Sequence, residues 1–297
     1  EILIGLVGSE MCIRDRDIMA CTKVRDENGL TEEEYLKKYK PGKYERPSVT
    51  VDMLLFGMDE HYDSLKLLLI RRKNHPFINK WAFPGGFVNI DESAYHAACR
   101  ELEEETGLKD VYMEQLYTFT TPDRDPRMRV IDIAYLTLLQ TCPVTSGDDA
   151  KDAAWFNVSL KNNELVLENA EKNVYIKYSL FKKSFKNGVI DIVNYDRPVP
   201  KTEEQLAFDH AQILVESIMR LRNKVQYTDI AFNLMSQEFT MTDLMKVYEV
   251  ILDKEMYRKN FRDKMKLKTV ATGNTGYSKS TNGTTPSELY RYEPHEI

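Results

Sequence analysis

Apolar runs in the first half of the chain are separated by polar turns and predict a sheet. Residues 48–56 and 65–70 are almost continuously apolar, which is typical of strands buried on both faces. Further strands are predicted at residues 112–120, 130–139 and 153–158. Because a helix-forming segment lies between the second and third of these strands, the pattern predicts a mixed α/β fold.

The pattern beyond residue 160 is less regular. Residues 174–181 and 189–193 are rich in strand-forming residues, and Lys186-Asn187-Gly188 between them predicts the turn of an edge hairpin. Residues 203–225 then carry apolar side chains at helical spacing. We therefore expect one long helix there, which would connect two domains.

The last third of the chain predicts a second, smaller domain. Short helices are predicted at residues 230–235, 242–252 and 255–267. Residues 269–292 are rich in Gly, Ser and Thr between two strand-prone ends, which indicates a hairpin. Three helices followed by a hairpin are the pattern of a winged helix.

The start of the chain carries little fold information. Residues 17–45 are polar, with a capped short helix predicted at Thr31-Glu-Glu-Glu34 and a turn at Pro41-Gly42. The first sixteen residues resemble a translated sequencing-adapter fragment. A short signal peptide is the alternative, but the run has no basic start and no small-residue cleavage site. We expect this leader to be non-native and disordered. The predicted division is a leader (1–16), an N-terminal segment (17–45), a first domain (46–200), a connector helix (201–225) and a second domain (226–297).

Composition limits the class of protein. The chain has 297 residues, of which 42% are hydrophobic and 30% charged, as in a soluble globular protein with one large or two small domains. No apolar run approaches the length of a membrane span. Its cysteines show no metal-ligand spacing and are more typical of a reducing cytoplasm than of a disulfide framework. These cysteines are Cys12, Cys21, Cys99 and Cys142.

Residues 86–108 contain the most specific pattern in the chain. It reads G-x5-E-x7-R-E-U-x-E-E-x-G-U, in which U is aliphatic, and every fixed position is filled. The filled positions are Gly86, Glu92, Arg100, Glu101, Leu102, Glu104, Glu105, Gly107 and Leu108. We predict a helix over residues 93–106, capped by Asp91 or Ser93 and ended by Gly107.

Three carboxylates of this helix share one face. Glu101, Glu104 and Glu105 are brought together by the helical repeat, and their mutual repulsion would weaken a helix without a cation. A hard divalent cation relieves that repulsion and can bridge pyrophosphate oxygens. Arg100 can pair with Glu104 four residues on. The alternative is a solvated acidic face, which is the usual explanation of an isolated acidic run, but the other fixed positions argue against it.

The filled pattern resembles the signature of the Nudix hydrolases, which cleave a nucleoside diphosphate linked to another group. The resemblance implies an α/β/α sandwich and Mg²⁺ or Mn²⁺ as the metal. It implies that Glu101, Glu104, Glu105 and the Gly86 carbonyl bind this metal, and that Glu92 and Arg100 support them. The general base in this family often lies outside the signature. Asp123, Asp125 and Asp149 are candidates, although each is better explained as an ordinary loop acid.

The predicted third helix of the second domain is strongly basic. Residues 254–268 contain seven basic and two acidic residues, a net charge of +5 in a chain whose net charge is −6. Concentrated positive charge in an acidic protein favours binding to a phosphate backbone. Asn260 and Arg262 could reach base edges. The alternative is a solvated basic face. The predicted DNA-binding residues are Arg258, Lys259, Asn260, Arg262 and Lys264.

Short motifs in the second half extend the resemblance to a narrower family. They are Leu206-Ala-Phe-Asp-His210, Leu221-Arg-Asn-Lys224, Phe239-Thr240, Val247-Tyr-Glu249, Asn260-Phe-Arg262 and Leu289-Tyr-Arg-Tyr292. In this order they resemble the Nudix-related transcriptional regulators, which join a Nudix domain to a C-terminal winged helix. One branch of that family controls NAD-biosynthesis genes with ADP-ribose as effector, and another controls sugar-utilisation genes.

The loop Pro122-Asp-Arg-Asp-Pro-Arg127 also resembles this family and related ADP-ribose pyrophosphatases. Arg124, Arg127 and Arg129 are therefore predicted to contact ligand phosphates. The alternative is a surface loop held by Asp–Arg pairs.

Two functions follow from the resemblance. The first is metal-dependent hydrolysis of ADP-ribose or a related nucleoside diphosphate derivative. The second is a ligand-sensing regulator that binds a palindromic double-stranded DNA operator as a homodimer. Many such regulators have a degenerate signature, whereas the signature here is complete, so the two functions can coexist. The predicted location is cytoplasmic.

Overall fold

The computed structural model describes residues 25–40, 42, 45–144, 150–187, 189–281 and 285–294. The predicted leader, Pro41 and Asp149 lie outside these ranges. The chain divides into two compact units between Arg46 and Pro47. The first contains helix α1 (Glu32–Lys38), whose capping box matches the prediction: Thr31 Oγ1 accepts from the Glu34 N–H, and the Glu34 carboxylate accepts from the Thr31 N–H.

The second unit is built on a ten-stranded sheet. Its strands are β1 (Ser48–Met58), β2 (Leu65–Arg72), β3 (Trp81–Ala82), β4 (Gly85–Phe87), β5 (Glu114–Phe119), β6 (Val130–Leu138), β7 (Ala150–Lys161), β8 (Glu164–Asn169), β9 (Val174–Ser179) and, after a separate hairpin, β12 (Val199–Pro200). The order is β12-β9-β8-β7-β2-β1-β6-β5, with β3 paired to β2 and β4 to β1. β1 and β6 are parallel, and the other pairs are antiparallel.

Strand β1 is buried on both faces because a helix covers each side of the sheet. Met53 and Leu55 face helix α2 (Ala94–Thr106), where they pack with Leu102. Leu54 and Phe56 face the other side, which helix α3 (His210–Lys224) covers. Alternation along a strand sends successive side chains to opposite faces, so a continuous apolar run serves two cores. The structure is thus the predicted α/β/α sandwich.

The predicted edge hairpin is wrong in its pairing. Strand β9 pairs with β8 and β12, not with the segment after Gly188. The hairpin instead joins β10 (Lys182–Asn187) to β11 (Ile190–Tyr195) as a separate two-stranded sheet. Strand β8 was not predicted. Its turn from β7 is formed by Asn162 and Asn163, both with positive φ (51° and 60°), which is the geometry of a tight hairpin turn.

The predicted connector helix begins later than expected. Residues 203–209 are not helical, and α3 starts at His210. The Ala207 N–H donates to the Trp81 carbonyl, and the Leu206 N–H donates to Tyr178 Oη. These tertiary bonds hold Leu206 and Ala207 against Trp81 of β3, so helical spacing there does not produce a helix.

The C-terminal part has the predicted winged-helix order. A 3₁₀ helix (Ile230–Leu234) is followed by β13 (Phe239–Thr240), α4 (Met241–Leu252), α5 (Arg258–Met265), β14 (Thr269–Gly276) and β15 (Ser287–Tyr292). β13 adds a short third strand to the wing, in the order β13-β15-β14. Thr240 caps α4 by accepting from the Asp243 N–H.

One hydrophobic cluster runs from the sheet through α3 into the winged helix. Phe156 of β7, Leu221 of α3, Ile251 of α4 and Phe261 of α5 all belong to it. Within the described residues, no helix is both long and apolar enough to cross a membrane.

Candidate functional site

Helix α2 is fixed at both ends by the residues that the pattern predicted. Ser93 caps it by accepting from the His96 N–H, and Gly107 ends it with φ of 73°, a left-handed conformation that glycine adopts at no steric cost. The helix therefore starts and stops at defined residues, and its acidic face is held towards β4.

Arg100 binds three carboxylates of the signature. Its guanidinium forms a two-point ion pair with Glu92, at 2.7 Å and 3.2 Å. It also donates to Glu101 at 2.8 Å and to Glu104 at 3.2 Å. Hydrogen bonds from Arg100 and from the Asn89 N–H lower the pKa of Glu92 to about 2. Glu92 therefore stays ionised and anchors Arg100.

Two glycines allow the backbone of β4 to approach these acids. A Cβ on Gly86 would lie 2.0 Å from Glu101 Oε1, so only glycine leaves room for that carboxylate beside the Gly86 backbone. The Gly85 N–H donates to Glu105 Oε2 at 2.7 Å. The loop and helix halves of the signature are thus in direct contact through Glu101 and Glu105.

The three predicted metal ligands differ in exposure. Glu105 is buried, the Glu101 side chain is 15% exposed, and the Glu104 side chain is 58% exposed. Burial raises the pKa of Glu101. In the part of the chain that the structure describes, no three His, Cys, Asp or Glu side chains stand in a ready metal-binding arrangement. Arg100 occupies oxygens of Glu101 and Glu104, and the Gly85 N–H occupies one of Glu105.

The oxygen donors nevertheless suit a hard divalent cation. Such ions prefer carboxylate and carbonyl oxygens, and the glycine at 86 places a backbone segment against the Glu101 carboxylate where any side chain would intrude. A bound cation would have to compete with Arg100 for Glu101 and Glu104.

A cavity of about 420 Å³ opens beside Glu101 and Glu105. Gly86 and Arg100 also line it, together with basic and aromatic residues from elsewhere in the fold. Among these are Arg72, Lys73, His75, Phe87, Arg127, Phe208 and His210. Its size and its mixture of cations, aromatic rings and carboxylates suit an anionic ligand with a ring system.

The three arginines of the predicted ligand-binding loop have different environments. Arg127 lines the cavity, pairs with Asp125 at 2.8 Å and lies over the Phe87 ring at 5.2 Å. Arg124 also lines it, but its side chain is only 5% exposed and is bound to acids. Arg129 is exposed and lies outside the lining of this cavity.

A buried charged cluster beside the cavity was missed by the sequence analysis. Arg124 donates to both Asp209 oxygens at 2.9 Å and 3.1 Å, and lies 3.6 Å from Asp132 and 3.7 Å from Asp52. Burial and the neighbouring Asp132 raise the pKa of Asp52 well above its usual value. Asp209 and His210 fell within a quoted motif, but their placement in a continuous helix concealed that Asp209 binds Arg124 and that His210 lines the cavity.

His210 completes that cluster. Its Nδ1 accepts from the Phe83 N–H at 3.0 Å, its Nε2 lies 3.5 Å from Asp52, and its ring stacks on Phe83 with centroids 4.6 Å apart. Burial, with the charges of Arg124 and Arg72, holds the pKa of His210 well below its ordinary value. The imidazole is therefore neutral at physiological pH and acts as an acceptor.

Of the three general-base candidates, the structure describes two, and only one of these lines the cavity. Asp125 lines the cavity but is held by the backbone and guanidinium of Arg127. Asp123 is exposed and does not line the cavity. Asp149 lies outside the described residues.

The predicted DNA-binding residues share the exposed side of α5. Phe261 and Met265 are buried against the winged-helix core, which turns the other side of the helix to solvent. All five predicted residues, Arg258, Lys259, Asn260, Arg262 and Lys264, are exposed. A hollow of about 450 Å³ lies on this side, lined in part by Arg258, Arg262 and Tyr290 of the wing.

Comparison with known proteins agrees with this architecture. Residues 46–176 match the NUDIX domain model, and residues 231–292 match the NrtR DNA-binding winged helix domain model. The ADPR responsive transcriptional repressor NtrR of Acinetobacter baylyi is 30% identical over 267 residues, which are 89% of this chain and 90% of that protein. The chain belongs to the Nudix-related transcriptional regulators.

Other members and relatives support both halves of this family assignment. A MutT/nudix family protein from Enterococcus faecalis has 31% identity and a TM-score of 0.70, covering 87% of this chain and 91% of that one. Shewanella oneidensis NrtR, solved with a 27mer DNA, has 27% identity and a TM-score of 0.58, covering 82% and 93%. The ADP-ribose pyrophosphatase of Methanocaldococcus jannaschii is 42% identical over 124 residues, 42% of this chain and 69% of that enzyme. The Nudix domain of this chain is therefore related both to ADP-ribose pyrophosphatases and to an ADP-ribose-responsive repressor.

Proposed function

We propose that the Nudix domain binds ADP-ribose, or a related nucleoside diphosphate derivative, and hydrolyses its diphosphate with Mg²⁺ or Mn²⁺. The observation that carries this proposal is that Glu101 and Glu105 line the same cavity as Arg72 and Arg127. The basic side chains that would bind a diphosphate and the carboxylates that would hold a metal thus line the same cavity. The relationship to an ADP-ribose pyrophosphatase supports the choice of substrate.

Glu101, Glu104, Glu105 and the Gly86 carbonyl would hold the metal. When bound, a divalent cation neutralises diphosphate charge and activates a water. The chain's own residues supply the rest. Arg100, anchored by Glu92, orients Glu101 and Glu104, and Arg127 provides positive charge for the diphosphate. Glu104 is the most exposed of these acids, so metal binding would draw it towards the site.

Binding and turnover of ADP-ribose, measured on one preparation with Mg²⁺, test this proposal. Calorimetry should show binding that Arg127→Ala weakens and that Arg129→Ala leaves within about twofold of wild type, a change of ~0.4 kcal/mol. Chromatography should show AMP and ribose phosphate, with much less of both from Glu104→Gln. Tight binding without products would make the domain a sensor only. Absence of binding would reject ADP-ribose as the ligand.

A second function rests on a separate observation, the exposed basic side of α5. We propose that this helix and the wing bind double-stranded DNA and that the chain acts as a ligand-responsive repressor. Similarity to a repressor over almost the whole length supports this, as does the solved DNA complex of a relative. A homodimer on a palindromic operator follows from the usual symmetry of such binding.

Sedimentation of the chain with and without a DNA duplex tests the dimer. Two chains bound to one duplex are expected. One chain per duplex at saturation would reject the symmetric arrangement, while leaving DNA binding by α5 intact.

A further inference from the structure

The N-terminal end of α3 forms part of the cavity wall. Phe208 and His210 both line the cavity, and the guanidinium of Arg72 lies over the Phe208 ring at 4.9 Å. Phe208 has φ of 50°, a left-handed conformation that costs energy for an aromatic residue. Contacts with Phe77 and His210, at ring distances of 4.7 Å and 5.5 Å, help to hold it there. A ligand that displaces Arg72 or Phe208 would act on this end of the helix directly.

Ion pairs join the same end of α3 to the sheet. Arg124 binds Asp209 through two hydrogen bonds, and the same guanidinium lies 3.7 Å from Asp52 of β1 and 3.6 Å from Asp132 of β6. We call Arg124, Asp209, Asp52 and Asp132 the α3 clamp.

The clamp holds three acidic side chains around one guanidinium, and Asp132 is fully buried. Electrostatic interactions are strong in such a buried place, so a change of charge in the adjoining cavity alters how tightly Arg124 holds Asp209. A diphosphate is a change of that kind, because its negative charge attracts the guanidinium and repels the carboxylates.

The other end of α3 is bonded to both domains. Arg222 donates to the Leu160 carbonyl of β7 at 2.7 Å and to the Ile251 carbonyl of α4 at 3.0 Å. Helix α4 in turn contacts α5 through Tyr248 and Phe261, whose rings are 5.4 Å apart. Helix α3, through α4, thus forms a continuous connection from the cavity wall to the basic helix.

We propose that the α3 clamp transmits occupancy of the cavity to the DNA-binding side of α5. This inference rests on the proposed function, since it needs one ligand in the cavity and DNA on α5. Arg124 is then a positioning residue for α3 rather than a contact to the ligand. A ligand shifts the position of α3 only if it interacts differently with the clamped and released arrangements, and the clamp supplies that difference.

The test measures DNA affinity of the full chain with and without saturating ADP-ribose, in EDTA so that the metal-dependent hydrolysis proposed above does not consume the ligand. The DNA is a duplex enriched from a random-sequence pool by the wild-type chain. Asp209→Asn weakens the clamp while keeping the side-chain shape. Glu216→Gln is the matched control, because it removes an ion pair with Arg220 on an open side of the same helix. ADP-ribose should change the DNA Kd of the wild type and of the control by a similar factor, on the order of 5- to 150-fold. In Asp209→Asn that factor should fall to below about one third of the wild-type value.

The outcomes separate this inference from the function on which it rests. Loss of coupling in Asp209→Asn, with ADP-ribose affinity retained, supports the clamp. Equal coupling in wild type and Asp209→Asn overturns the clamp alone. No effect of ADP-ribose on wild-type DNA binding rejects the sensing function and the clamp with it.

If Asp209→Asn does not fold, hydrogen exchange on the wild-type chain tests the role of the α3 clamp instead. Saturating ADP-ribose should change amide exchange in residues 206–214 and in α5. Changes confined to the loops of the cavity would overturn the proposal.

Discussion

Gly86 and Glu101 are packed so closely that residue 86 has no room for a side chain. A Cβ at this position would lie 2.0 Å from Glu101 Oε1. The atoms in its way are the end of a flexible side chain, which can move aside. We therefore expect Gly86→Ala to change the free energy of unfolding by less than ~1 kcal/mol but to lower ADP-ribose turnover about 100-fold, because Glu101 is displaced. Urea denaturation and a product assay on the same protein check both parts.

In contrast to Gly86→Ala, Gly85→Ala should act mainly on the stability of the fold. Its Cβ would lie 2.2 Å from the Val51 carbonyl oxygen, which belongs to the backbone of the central strand β1 and cannot move aside. We expect a loss of about 3 kcal/mol in the free energy of unfolding. If Gly86→Ala destabilises the fold as much as Gly85→Ala does, the distinction between a movable carboxylate and a fixed backbone is wrong.

The signature helix and the central strands could be predicted from the sequence because local signals determine them. Ser93 and Gly107 bound α2 as expected, and the apolar runs of β1 and β2 are buried as expected. The start of α3 could not be predicted, because Trp81 and Tyr178 are distant in sequence and take the backbone bonds of residues 206 and 207.

The residues of the candidate site could likewise be predicted only where they lie close together in the sequence. The acids of the signature lie on one helix, so their grouping was visible in the spacing. The α3 clamp joins residues from positions 52, 124, 132 and 209, which only the folded chain brings together. Arg124 was predicted to contact a ligand because its loop resembles those of related proteins. It lines the cavity, and the sequence did not show that it also binds buried acids.

His210 should make the protein less stable in mild acid. Its folded pKa lies well below the ordinary value of 6.5, so below that pH the unfolded chain binds a proton that the folded chain does not. The stability from neutral His210 is thus present above pH 6.5 and is lost as the pH falls below it. Asp52 and Asp132, whose raised pKa values have the opposite effect, remain in both proteins compared.

Comparison with His210→Asn separates the contribution of His210 to stability from those of Asp52 and Asp132. Between about pH 7.5 and about pH 5.5, the wild type should lose about 1 kcal/mol more unfolding free energy than the variant. Equal losses, measured by urea denaturation at each pH, would show that His210 is protonated in the folded protein at mildly acidic pH.

Arg262→Ala should weaken DNA binding and its dependence on salt. An exposed arginine on α5 that contacts phosphate releases about one counterion, so the slope of log K against log salt should fall by about 1. Lys109→Ala is the control, because Lys109 is exposed and paired with Glu103 in the Nudix domain. An unchanged slope for Arg262→Ala would remove Arg262 from the DNA-contacting set.

The most direct test of the whole account is turnover of ADP-ribose by Glu101→Gln and Glu103→Gln. The two residues lie on one helix, but Glu101 lines the cavity, whereas Glu103 is half exposed and paired with Lys109. We predict that kcat falls by about 10²–10³ in Glu101→Gln and stays within about twofold of wild type in Glu103→Gln. Wild-type turnover that both variants retain equally would contradict the assignment of the signature carboxylates to catalysis.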